Sequence, residues 1–331
     1  VPTPPLVRAV VVTWNGAHLL PPCLRSLEEQ AVDGGLEVVV VDNASVDGTA
    51  ELVGRDFPGA VLVRSPENLG FAGGAALGIE GFAGEFVVLL NNDAVFAPGA
   101  VQALVDCARR AGNERVGAVT AKVLLVPDGD GPVLVNSTGS VVSRAGTGAD
   151  RDWLVPDGEE SSDPDVFGFC GAAALLRRAA LDEVGSFDPG LFLYYEDTDL
   201  SWRLRAGGWA VRYEPTAVAH HRHAASSDTT SALFRYQNTR NSLIVFGRHA
   251  PLAVVVGSFA RQTLGWLRSC VADGPTGALP RARGRALRDA VLRAPRTLRE
   301  RRALWAGAST SRREVAAYLS SRAPLATRAG A

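Results

Sequence analysis

Methionine is absent from the 331 residues, and lysine occurs once, as Lys122. Positive charge therefore rests almost wholly on arginine. With abundant alanine and glycine, that bias fits a GC-rich genome better than a demand on single arginines. The missing methionine also leads us to expect that Val1 is the reading of a GTG start codon. The lone lysine lies in no G-x-x-x-x-G-K-[ST] loop, which excludes a P-loop nucleotidase. The turn Thr13-Trp14-Asn15-Gly16-Ala17-His18 has a single glycine, which excludes the glycine fingerprint of dinucleotide binding. Cys23, Cys107, Cys170 and Cys270 form no C-x-x-C pair, so they offer no zinc site and read as reduced cytosolic thiols. No basic, apolar leader opens the chain, so no signal peptide is expected. The longest apolar run, residues 251–267, is interrupted by Arg261, Gln262 and Thr263 and is too short for a membrane span. A net charge of -1 argues against a general nucleic-acid binder, although arginine is concentrated in the last third.

What remains is 47% hydrophobic and 21% charged, the balance of a soluble globular enzyme with room for one large or two smaller domains. Strand and helix patterns alternate: strands at 7–13, 36–41, 60–63 and 85–90, helices at 19–30, from Asp47, at 70–82 and at 98–111. Such alternation predicts an α/β fold, a mainly parallel central sheet flanked by helices. Polar clusters close three strands: Thr13-Trp14-Asn15, Asp42-Asn43-Ala44-Ser45 and Asn91-Asn92-Asp93. They are expected to line one sheet edge, where open α/β sheets hold ligands. Residues 128–165, rich in Gly, Ser, Asp and Pro, read as an irregular excursion with a mobile loop and a short strand at 133–135. Residues 192–195 read as strand-like, leading into a helix through Arg205, and beyond Asp228 the pattern is helical.

Local chemistry leaves two readings of each polar cluster. Asp93, at the end of an apolar strand, can hold a divalent cation against a diphosphate, or cap the following helix. Asp42 can accept from a base or ribose, with Asn43 and Ser45 beside it, or form an Asx-turn. The glycines of Asn68-Leu69-Gly70-Phe71-Ala72-Gly73-Gly74 serve either helix–sheet packing or close approach to a ligand.

Seven motifs in order resemble the family 2 glycosyltransferases, in particular their rhamnosyltransferase-like bacterial branch. They are Val11-Val12-Thr13-Trp14-Asn15, residues 41–49, residues 67–74, Leu90-Asn91-Asn92-Asp93, Gly185-x-Phe187-Asp188, Tyr195-Glu196-Asp197-x-Asp199-Leu200-x-x-Arg203 and Pro215-x-Ala217-x-x-x-His221. The resemblance covers roughly residues 8–245. It implies a GT-A fold and inverting transfer of a sugar, with dTDP-rhamnose one possible donor, from a nucleotide diphosphate. Nucleotide-sugar binding would fall to Thr13, Asn15, Asp42, Asn43, Ser45, Asn68, Gly70 and Asn92. Asp93 resembles the metal-binding end of the family's D-x-D motif, with the amide Asn91 in the first position. His221 is then a second ligand of a divalent cation, Mg2+ or Mn2+, or else a histidine packed on a strand end. Neighbouring His220 and His223 compete for that assignment. Asp197 is the expected general base and Glu196 its neighbour, although Asp197 also reads as a helix cap. Asp199 and Arg203, four apart, predict a pair on the helix surface.

The expected organisation is a nucleotide-sugar half at 1–122, an acceptor and catalytic half at 123–248 and a helical extension at 249–331. Arginines and leucines between Arg281 and Arg302 read either as a surface for anionic membrane or as a solvated helix. Expected partners are the nucleotide-sugar donor and a glycan or polyprenyl-linked glycan acceptor, without nucleic acid. The expected location is cytoplasmic, at the inner face of the plasma membrane. Alternatives are a nucleotidyltransferase and a non-catalytic nucleotide-sugar-binding protein.

Overall fold

A computed structural model describes residues 5–126, 131–222 and 231–321. The chain runs through β1 (Val7–Thr13), α1 (Leu20–Glu28), β2 (Leu36–Asp42), α2 (Thr49–Asp56), β3 (Val61–Arg64), α3 (Gly70–Ile79), β4 (Phe86–Leu90), β5 (Ala94–Phe96) and α4 (Ala100–Arg109). It continues through β6 (Val116–Leu125), β7 (Val135–Ser137), β8 (Ser140–Val142), β9 (Gly148–Asp150), β10 (Ala173–Arg177) and α5 (Arg178–Val184). A 3-10 turn at Pro189–Leu191 precedes α6 (Glu196–Ala206) and β11 (Ala210–His221). Four helices follow: α7 (Ala232–His249), α8 (Leu252–Asp273), α9 (Ala278–Ala306) and α10 (Arg312–Ala317).

Among the described residues one sheet has the order β3-β2-β1-β4-β10-β6-β11-β5, with β7 added to β6. The pairs among β3, β2, β1 and β4 are parallel, as the alternation predicts, and so is β6 with β11. β10 runs antiparallel to β4 and β6. Ala173 pairs with Leu90, so β10 begins beside the end of β4 and runs back. The sheet is therefore parallel in its first half and mixed beyond it.

Side chains alternate across the strands, so each face of the sheet buries its own layer. Val7, Ala9, Val11, Val88 and Leu90 pack with Leu20 and Leu24 of α1 and Leu104 of α4. Val10, Val39, Val41, Val87 and Leu89 pack on the other face with Ala72 and Ala75 of α3 and Leu200 and Leu204 of α6. α3 approaches this face closely because Gly74 and Gly78 carry no Cβ; one at either position would collide with Val12 or Val10. A third cluster joins Trp202 of α6, Phe167 and Val142 to Ile244, Phe246, Val254 and Val315 of the C-terminal helices. The expected division after residue 122 falls inside β6, so the first two segments share one sheet.

Three local expectations change. Within the excursion, residues 131–165 carry β7, β8 and β9; residues 127–130 lie outside the described ones. Residues 192–195 are not a strand, because Phe192, Tyr194 and Tyr195 have φ of 65°, 69° and 72°. Asp199 and Arg203 do pair, at 2.9 Å, but Asp199 is buried, since α7 and α9 cover that face of α6.

Candidate active site

The register Thr13↔Asp42 brings the ends of β1 and β2 side by side, and β4 ends next to them. Around this edge the amides and hydroxyls bind one another first. Asn92 Nδ2 donates to Thr13 Oγ1 at 3.0 Å, and Asn43 Nδ2 donates to the Gly70 carbonyl at 2.9 Å. Asn68 Oδ1 accepts from the Gly70 N–H at 2.9 Å. Gly70 is required twice over: its φ is +69°, and a Cβ would strike the Phe192 carbonyl. Asp42 Oδ1 accepts from the Ser45 N–H, Ser45 Oγ from the Asn15 N–H, and Asn15 Oδ1 from the Val46 N–H. Asp42 Oδ2 and Asn43 Oδ1 are buried without a hydrogen-bond partner, although Arg64 Nε pairs with Asp42 Oδ2 at 3.8 Å.

The end of the cleft where the sequence places a cation is built by strand register. His221, the last residue of β11, pairs with Ala94 of β5, which places it beside Asp93. Alternation along β11 decides between the histidines: His221 is buried and His220 exposed, while His223 lies outside the described residues. His221 Nε2 stands 3.1 Å from Asp93 Oδ1, and Nδ1 stands 2.6 Å from Asn136 Oδ1. Donors in adjacent octahedral positions around a small divalent cation are about 2.9 Å apart. The Asp93–His221 spacing therefore fits one such cation. Among the described residues no third His, Cys, Asp or Glu completes a cluster. The rest of such a cation's shell would be left to donor phosphate oxygens and water.

The third component is the first turn of α6. Asp197 accepts from the Thr198 N–H at 2.6 Å and the Gly171 N–H at 3.4 Å. Tyr195, not Asp197, occupies the N-cap position. Burial nonetheless raises the Asp197 carboxyl above the ordinary range, which these hydrogen bonds oppose. Glu196 is pushed up to about 8 by burial and by the Asp197 and Asp199 charges, and its Oε2 has no partner. The left-handed residues before α6 are held by Asn241 of α7, whose Nδ2 points at the carbonyls of Leu191, Leu193 and Tyr194 at 2.7–2.9 Å.

Thr13, Asn43, Asn68, Gly70, Asn92, Asp93, Glu196, Asp197 and His221 line one cavity of about 620 Å³. Asn15, Asp42 and Ser45 do not; they brace the neighbouring corner. Sequence reasoning missed Asn136 and Asp150 on one wall and Trp14, Phe71, Tyr194 and Phe234 on the apolar side. Burial and the nearby Asp197 raise the Asp150 carboxyl to about 6, against a hydrogen bond from Ser137. Only the concentration of Asp in the excursion could have signalled that wall; its single asparagine, Asn136, carries no pattern.

A mixed sheet with a polar, carboxylate-bearing cleft at its strand ends is the architecture of the GT-A fold, shared with the solved structures named below. The sequence agrees: residues 9–185 match Glycosyl transferase family 2, and the chain belongs to that family. It is 32% identical over 252 residues to the N-acetylglucosaminyl-diphospho-decaprenol L-rhamnosyltransferase of Mycobacterium tuberculosis strain H37Rv, across 69% of this chain and 80% of the relative. A pre-mycofactocin glycosyltransferase of the same organism is 28% identical, across 66% of this chain and 43% of the relative. The mannosyltransferase PcManGT of Pyrobaculum calidifontis, solved with GDP-Man and Mn2+, superposes with a TM-score of 0.52 at 21% identity, across 92% and 86% of the two chains. GalNAc-T7 with UDP, GalNAc and Mn2+ gives a TM-score of 0.60 at 14% identity, across 85% and 54%. The chain is thus a glycosyltransferase of the rhamnosyltransferase-like branch, which sets aside the nucleotidyltransferase and non-catalytic readings.

Proposed function

We propose that this enzyme transfers a sugar, with inversion, from a nucleotide diphosphate to a hydroxyl of a polyprenyl-diphosphate-linked glycan, in a divalent-cation-dependent reaction. Rhamnose from dTDP-rhamnose is the sugar we favour, on the strength of the rhamnosyltransferase relative. The observation that carries the reading is that Asp93, His221, Glu196 and Asp197, far apart in sequence, face one cleft. Asp197 takes the proton of the acceptor hydroxyl as its oxygen attacks the anomeric carbon. The bond from that carbon to the nucleotide's terminal phosphate oxygen breaks, and the electron pair leaves on the diphosphate. The cation, Mg2+ or Mn2+ on Asp93 and His221, would neutralise charge on the diphosphate. Burial of Asp197 makes it a stronger base than a solvated aspartate. Thr13, Asn43, Asn68, Gly70 and Asn92 bind the donor, and Asp42, Asn15 and Ser45 hold the adjoining corner in shape.

In this reading the N-terminal half holds the donor, residues 123–248 hold the acceptor, and the C-terminal helices rest on a membrane from the cytoplasmic side. No helix among the described residues is long and apolar enough to cross one. α8 exposes Leu252, Val256, Phe259, Leu267 and Val271 at helical spacing, and α9 exposes Arg281, Arg288 and Arg296. This pairing of apolar and cationic faces suits an anionic bilayer surface. Flotation with anionic liposomes should show binding that salt weakens; binding indifferent to both lipid charge and salt would count against it.

The decisive assay measures transfer from dTDP-, UDP- and GDP-sugars with and without Mn2+ or Mg2+. Asp197→Asn is expected to abolish transfer while donor binding persists in a thermal shift. Turnover near the wild-type rate would remove Asp197 from this role.

A further inference from the structure

Asn136 was invisible to motif reasoning. It lies in the excursion, 85 residues before His221, in the middle of the three-residue strand β7. β7 pairs with β6, and β6 pairs with β11, so this small strand delivers a carboxamide to the side of His221 away from Asp93. Asn136 is 3% exposed and His221 8%. The resulting chain is Asn136 Oδ1 to His221 Nδ1 at 2.6 Å, then His221 Nε2 to Asp93 Oδ1 at 3.1 Å.

A carboxamide oxygen has no proton to give. A contact of 2.6 Å therefore requires Nδ1 to carry the proton and donate it. Neutral imidazole then bears its lone pair on Nε2, aimed at the Asp93 carboxylate. With Nε2 unprotonated, two acceptors face each other at 3.1 Å and repel unless a metal cation lies between them; a proton on Nε2 would instead make the contact an ordinary hydrogen bond to Asp93. We propose that Asn136 is a positioning residue for the metal centre: it fixes the His221 tautomer and ring plane so that Nε2 is presented as a ligand. The inference rests on the reading of Asp93 and His221 as metal ligands. It adds a requirement that the D-x-D-like segment and His221 do not contain, an acceptor supplied by the excursion. Partners of this kind, which hold the second ring nitrogen of a ligating histidine, are worth about 10–100-fold in metal affinity.

The test uses the full-length chain and Mn2+ alone, with free metal followed by EPR. Asn136→Leu keeps similar volume and removes the acceptor; it is expected to weaken Mn2+ binding about 10–100-fold. Asn136→Asp keeps an acceptor and is expected to bind Mn2+ as tightly as wild type or more tightly. A residue needed only for packing would give the reverse order, since leucine fills the space and a buried carboxylate is costly. The ring-nitrogen 15N shifts of His221 in the Mg2+-loaded protein give a second readout, expected to report the proton on Nδ1. Unchanged Mn2+ affinity in Asn136→Leu, a collapse of affinity in Asn136→Asp, or a proton on Nε2 in the loaded wild type would each overturn the proposal. Wild type that binds no Mn2+ would instead overturn the metal reading on which it depends. If Asn136→Leu fails to fold, the aspartate variant and the wild-type 15N shifts decide the matter.

Discussion

Replacing Arg248 by methionine should damage the enzyme through a helix that does not carry the residue. Arg248, at the end of α7, is 6% exposed and spans Asp199 of α6 at 3.0 Å, Asp188 at 2.6 Å and Glu300 of α9 at 2.8 Å. Removing one partner of a buried ion pair typically costs 3–5 kcal/mol. Asp188 and Glu300 keep about a quarter of their surface in water and can rehydrate. Asp199, at 1% exposure, cannot, but it retains Arg203 at 2.9 Å and His249 at 2.8 Å. The lower end of that range, about 3 kcal/mol, is therefore expected. In a chain of this size it is a fall in Tm of about 4 °C. Glu300→Gln, which removes only a partly exposed partner, should cost less than about 1 kcal/mol. Burial would raise the Asp199 carboxyl, but Arg203, His249 and Arg248 together hold it well below the ordinary range. A depressed folded-state value stabilises the protein above the unfolded value near 4 and is lost as pH falls through the folded one. The Tm gap between Arg248→Met and wild type should thus stay constant from about pH 7 to 5 and narrow below about pH 4. Differential scanning fluorimetry across pH measures both. A variant melting within a degree of wild type at pH 7 would refute the assignment of Arg248 as the link between α6 and the C-terminal helices.

Glu196 has the opposite sign: its folded value, about 8, lies above the unfolded one, so its contribution is present below about pH 4.5 and lost as pH rises toward 8. Glu196→Gln should flatten the decline in Tm over that window, and a parallel decline in the variant would contradict it. Gly70→Ala should cost roughly 1–3 kcal/mol from the left-handed backbone and raise the donor KM, because the Phe192 carbonyl must retreat. With Asp197 as base, the acidic limb of kcat/KM should lie above the ordinary aspartate range and disappear in Asp197→Asn. Chelation with EDTA should abolish transfer, with Mn2+ or Mg2+ restoring it; transfer that survives chelation would argue against the metal.

The strand ends were legible because the apolar run of β4 is uninterrupted to Leu90 and breaks abruptly into amides and a carboxylate. Asp93 and His221 could be named by motif, but their meeting depends on β11 pairing with β5, a contact spanning 128 residues that no local pattern encodes. Asn136 and Asp150 escaped because a turn-rich composition conceals strands of three residues. The segment at 192–195 was misread for a related reason. Its aromatic residues favour a strand, yet tertiary hydrogen bonds from Asn241 hold its backbone in the left-handed region. Asp199 and Arg203 have the spacing of a surface pair; only the docking of α7 and α9 makes that pair internal.

The clasp formed by Asn241 bears on how such enzymes can be recombined. A chimera joining residues 1–231 of this chain to the C-terminal helices of a relative, from α7 onward, would inherit every motif residue of the cleft. Unless the borrowed helix offers an amide in register with Leu191, Leu193 and Tyr194, the loop ahead of α6 would relax. The hybrid would then carry Asp197 in its sequence without holding it in the cleft. For grafting, the safe junction lies beyond His249 rather than where the family match ends at residue 185.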